Sequence, residues 1–148
     1  AKLHSRRSDY ASARDVLAPL LQDADPKVRA SGEIATAFAQ MEEGDFEAAL
    51  KRLRDVQPRA EALFGSGSAE ALTTQTYLAN VLRELGQYEE AIALYRKALA
   101  GRQALNGPRH IATAESMRGL GAALYFSEKY ADALPVLQSA FELSSDIY

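Results

Sequence analysis

The chain repeats itself every 42 residues, and that limits what it can fold into more than any other feature. Shifted by that interval, Gly44 falls on Gly86, Phe46 on Tyr88 and then Tyr130, and Ala49 on Ala91 and then Ala133. The register persists, with Leu78 on Leu120, Val56 on Ala98 and then Ala140, Leu63 on Leu105, and Gly65 on Gly107. Near the front, Tyr10 and Ala13 precede Phe46 and Ala49 by 36 residues, so the first unit is six residues shorter. A period of this length marks a repeat array, in which each unit hides its apolar face against the next.

Each unit reads as two helices. Leu78, Ala79, Leu82 and Leu85 recur at helical spacing over Thr73 to Leu85, and Gly86 stops that run. Ala91, Ile92, Leu94, Tyr95, Ala98 and Leu99 then form one broad apolar face over Tyr88 to Leu105. Asp25 ahead of Pro26 reads as an N-cap followed by the first helical residue. Gly107-Pro108 is expected to punctuate the later connection in the same way, and Ser68 to cap the helix that follows Gly65 and Gly67. Sustained polar–apolar alternation is missing, so no strand is expected. The reading gives seven helices and a stub over residues 1 to 6.

Small residues account for the tight pairing. Ala37, Ala79 and Gly121 are expected to face Ala49, Ala91 and Ala133, letting each hairpin close, while Phe46, Tyr88 and Tyr130 fill the space between hairpins. Thr36 and Gln40 are polar where the other units are apolar. This predicts a helix rotated slightly to lead with Ile34, Phe38 and Met41.

The 148 residues are 47% hydrophobic and 25% charged, a globular balance. A net charge of −3 and a pI near 5.4 argue against direct nucleic-acid binding, and the basic cluster Lys2, Arg6 and Arg7 is short. Without cysteine there is no disulfide, thiolate metal site or thiol nucleophile, which suits reducing and oxidising compartments equally. No apolar run approaches the roughly 20 residues of a membrane span, and the start lacks the apolar centre of a secretion signal. The expectation is a soluble, cytoplasmic protein that does not enter membranes. His4 and His110 lie far apart without an acid cluster of ligand spacing, and "FGSGSAE" lacks the lysine and preceding strand of a nucleotide loop. The Glu89-Glu90 pair is explained by the helix dipole. No nucleophile is paired with a base, so no catalytic residue, metal or cofactor is expected.

Tyr88, Ala91, Tyr95 and Ala98, together with Leu78, Ala79 and Leu82, reproduce the spacing of the tetratricopeptide repeat (TPR), and the 42-residue period resembles the longer, kinesin-light-chain-like variety. The connection "ALNGPRHIAT" is also similar to that variety, whereas "ALFGSGSAEALT" keeps only Leu63 and Gly65, tryptophan is absent, and Glu128 stands where a turn glycine is usual. The resemblance implies an all-α, right-handed superhelical solenoid of antiparallel helix hairpins. It reads as one domain over residues 1–148, with a partial repeat at 1–23 and repeats at 26–64, 68–106 and 109–148, cut from a longer array or protein.

The resemblance also implies a concave groove lined by the first helix of each pair. Carried onto this chain, the binding positions in the middle repeat are Thr73, Thr76, Tyr77, Asn80, Arg83 and Glu84. The last repeat contributes Arg118 and Tyr125 among others, and the earlier one contributes Phe38. The aromatics offer apolar contact, Arg83 and Arg118 can fork onto a carboxylate, and Asn80 can hold a peptide amide. The bland alternative is that Tyr77, Tyr125 and Phe38 are partly core and that Arg83 pairs with Glu84 or Glu89. Thr76 stands where the family's terminal-carboxylate clamp needs lysine, which argues against that chaperone-tail role. Three function classes follow. A scaffold binding a protein or peptide in the groove leads, a module that self-associates through its terminal helices comes next, and an enzyme or small-molecule sensor is the least favoured.

Overall fold

In the computed structural model of the chain, residues 12–147 are described, and among them there is no strand. Helix α1, described from residue 12, runs over 12–17 and tightens into a 3-10 turn at Ala18–Gln22. Three hairpins follow: α2 (Pro26–Glu42) with α3 (Phe46–Phe64), α4 (Ala69–Glu84) with α5 (Tyr88–Asn106), and α6 (Ile111–Phe126) with α7 (Tyr130–Ile147). The stub expected over residues 1 to 6 and the basic cluster there lie outside the described residues.

Each helix packs on the next, and α4 also approaches α2 and α6, whereas the backbones of α3, α5 and α7 stay apart, α3 and α5 being linked by the long side chains of the Arg54–Glu90 and Lys97–Glu61 ion pairs. First helices in contact and second helices splayed apart give a curved stack. The inner, concave surface therefore belongs to α2, α4 and α6. The chain is an all-α helical solenoid.

The caps explain where the helices begin. The Asp25 carboxylate accepts from the Lys27 N–H with Pro26 at the first helical position, and the Ser68 hydroxyl accepts from Ala71. That serine starts α4 at Ala69, four residues before the apolar run at Thr73. The Gly107-Pro108 expectation is corrected: Gly107 ends α5, and the cap of α6 is His110, whose Nδ1 accepts from the Ala112 N–H 3.1 Å away. This is the role of the second histidine.

The turns within hairpins share one geometry. The N–H groups of Asp45, Gln87 and Lys129 reach back to the carbonyls of Gln40, Leu82 and Leu124 at 2.8–2.9 Å, the six-to-one bond of a Schellman motif. The residue before each must take positive φ, and it is Gly44 at 82°, Gly86 at 79° and Glu128 at 66°. Glu128 thus holds the glycine conformation with a side chain attached.

The main core joins Ala37, Ala49, Leu53, Leu78, Leu82, Ala91, Ile92, Tyr95, Leu120, Leu124 and Ala133 across all three hairpins. The expected rotation of α2 does not occur. Thr36 is as buried as Leu78 and Leu120 at the same register, and its hydroxyl donates to the Gly32 carbonyl at 2.7 Å, which satisfies it inside the helix. Phe38, expected to lead into the core, is instead 43% exposed on the concave side. Gly121 packs against Leu137 of α7, one turn beyond Ala133: a Cβ added there would come within 2.5 Å of the leucine side chain. Tyr88 stacks on Phe126 across the hairpin boundary, while Tyr130, given the same role, is mostly exposed.

Candidate functional site

The concave surface holds three adjoining hollows, and Tyr77 of α4 lines all of them. The first, about 690 Å³, lies between α1, α2 and α4 and is mainly apolar, with Leu17, Ile34, Phe38 and Tyr77 in its wall and Glu42 and Glu70 among its few charges. The second, about 550 Å³, lies between α4 and α6. It brings together Phe38, Thr76, Tyr77, Asn80, Arg83 and Arg118, residues far apart in sequence whose register the period dictates. The third, about 110 Å³, sits between them, with Thr73, Thr76, Tyr77, Arg102, Glu115 and Ser116 around it.

The side chains in these walls differ in freedom. The Phe38 and Tyr77 rings lie 5.3 Å apart and tilted, a shared aromatic step across α2 and α4. Burial pushes the Tyr77 phenol above its usual range, Glu115 adds to the rise, and Arg102 opposes it. Asn80 is anchored from below, since its amide oxygen accepts from the buried Tyr95 hydroxyl, which leaves the amide N–H₂ as its donor toward the groove. Burial raises Tyr95 to about 12 against the pull of Arg83, whose guanidinium lies 6.0 Å from the Tyr95 ring centre. Arg83 also meets Glu84 at 3.6 Å, so it is half engaged at home. Arg118 is exposed and has no ion-pair partner among the described residues. The Thr76 hydroxyl donates to its own helix at Leu72 O, and Thr73 accepts from Arg102.

Tyr125 stands apart from these walls. It is 52% exposed and stacks edge-on with Phe126 and Tyr130 at the α6–α7 turn.

The sequence reading missed Arg102. Resemblance places groove residues on first helices, whereas Arg102 comes from the second helix α5, at the position where α3 has fully buried Ala60. Its neighbour Gly101 carries the signal: a Cβ there would clash with the Leu72 side chain, so α5 lies close on α4 and the arginine threads past Thr73. An arginine at a register that carries Ala60 and Ser144 in the other hairpins, beside a glycine within a helix, could have flagged it. Among the described residues no group of acids and histidines could hold a metal ion, and no helix is long and apolar enough to cross a membrane.

This architecture is that of a TPR array. The tetratricopeptide-repeat family profile matches residues 30–104 and 70–146, and the chain belongs to that family, with a repeat period of 42 residues. Among solved structures it is similar to BtubC (BKLC) from P. vanneervenii, with a TM-score of 0.80 and 20% identity over 97% of this chain and 57% of that one. It also resembles a candidate kinesin light chain from Podosopora anserina with nearly identical TPR-like repeats, at a TM-score of 0.54 and 15% identity over 99% and 96% of the two chains. No curated protein matches the sequence. The chain therefore spans little more than half the length of BtubC. TPR proteins are in general protein-interaction modules without catalysis of their own.

Proposed function

We propose that the concave face of α2, α4 and α6 binds a peptide or protein segment, within a larger regulatory or adaptor protein. The observation that carries this reading is the hollow between α4 and α6, where apolar Phe38 and Tyr77, the donor Asn80, and the cations Arg83 and Arg118 converge. Peptides are held by such a combination of aromatic contact, amide pairing and forked charge. Thr73 contributes to the same face through the smaller recess, while Tyr125 lies outside both linings. The test is to select binders from a random-peptide phage library and measure the best by calorimetry. An Arg83→Ala/Arg118→Ala variant with unchanged melting temperature is expected to bind at least about tenfold more weakly, the effect of losing arginine anchors. Equal affinity for both proteins would rule the groove out.

A second reading rests on α7, where Leu134 is 68% and Phe141 is 73% exposed. Self-association through that helix predicts a sedimentation coefficient that rises with concentration and a Phe141→Asp variant that stays monomeric. A monomer at every concentration removes it.

A further inference from the structure

The small recess between α4, α5 and α6 has a chemistry that the open groove lacks. Arg102 and Glu115 both line it, yet neither is in an ion pair among the described residues. The Arg102 guanidinium is tied at one corner by its 2.6 Å bond to Thr73 and is partly taken from water, since burial lowers its pKa while Glu115 opposes the change. Glu115, itself exposed, stands across the recess on α6, at the register that carries Thr73 in α4. A donor held by Thr73 thus shares with the Glu115 carboxylate a space of about 110 Å³.

A guest there has to offer an acceptor to the guanidinium and a donor to the carboxylate. An incoming carboxylate would meet the repulsion of Glu115, an ammonium that of Arg102, and an aliphatic end would strip the remaining water from the partly buried guanidinium without satisfying it. A primary carboxamide supplies C=O on one side and N–H₂ on the other. The recess is too small for main chain with its side groups, and it opens between the two larger hollows through their shared wall at Tyr77. We propose that this recess is a specificity pocket for the side-chain carboxamide of an asparagine or glutamine on the bound segment. The inference rests on the groove reading above and adds to it the residue type that the partner must carry.

The experiment uses the same random-peptide phage library. Peptides selected on the unaltered protein are expected to share an asparagine or glutamine at one position, and changing that residue to the corresponding acid is expected to weaken binding about tenfold. On a Glu115→Gln variant the acidic peptide is expected to bind at least as well as the amide one, because the recess is then cationic. Glu115 is exposed, so that substitution leaves the fold unchanged. Failure to select any peptide, or peptides indifferent to Arg118→Ala, overturns the groove and the pocket together. Peptides that need Arg118 but show no carboxamide preference, or whose preference survives both Glu115→Gln and Arg102→Gln, overturn the pocket alone.

Discussion

Helices α5 and α7 follow the same 42-residue pattern, yet they end up in different surroundings. Ile92 of α5 is 3% exposed and its counterpart Leu134 of α7 is 68% exposed; Tyr95 is fully buried beneath the groove while its counterpart Leu137 is only half-buried. The sequence writes an apolar stripe on both. What differs is that α6 lies on α5, while no described helix lies on the far side of α7. In a stacked array burial belongs to the pair, not to the helix.

The largest expected contrast follows from that. Ile92→Ala should lower stability by about 3 kcal/mol through lost transfer energy and a residual cavity, and Leu134→Ala by less than about 0.5 kcal/mol, both read from urea unfolding. A comparable loss at Leu134 would mean that α7 is covered in solution and would erase the difference between the two helices.

Tyr95 sharpens the same comparison, since Leu137 in its place has no hydroxyl. Tyr95→Phe removes the donor to Asn80 and should destabilise by about 1 kcal/mol near neutral pH. The phenol titrates near 10 when unfolded and at about 12 in the fold, so between those values the folded chain keeps a proton the unfolded chain has lost. Stability should therefore fall as pH rises from 10 to 12, and the fall should be shallower in Tyr95→Phe. Parallel curves for the two proteins would refute the assignment.

The smallest effect separates the two turns. Gly86 and Glu128 occupy the same left-handed site, which penalises a side chain by about 1 kcal/mol. Glu128→Gly should raise the melting temperature and Gly86→Ala should lower it. Equal and opposite shifts fit this account; no change in either would show that the turns are not strained.

Much of this was legible because a repeat states its own register several times over. Ala49, Ala91 and Ala133 marked the close approach of paired helices, and all three are buried. The weaker readings failed where a single residue departed from the pattern. Thr36 looked like a reason for α2 to rotate, but a hydroxyl can return its hydrogen bond to its own helix and keep a leucine's place. Gly107-Pro108 looked like a cap, but a cap needs a side-chain acceptor, and His110 supplies it. In the candidate groove, Phe38, Thr76, Tyr77, Asn80, Arg83 and Arg118 came from the family resemblance carried onto the repeat register, and they line one hollow. Tyr125 came from the same rule but turns toward Phe126 and Tyr130.

By itself the sequence determined that the chain is a stack of helical hairpins, because periodicity and turn chemistry are local and are written in every unit. Only the tertiary structure decided which polar groups are already engaged and which are not. Asn80 is held by Tyr95, Arg83 is shared with Glu84, and Arg102 reaches the concave side from a helix that was expected to face away. Hydrogen bonds and charges are settled between helices, by distances of a few ångströms that a one-dimensional pattern does not contain.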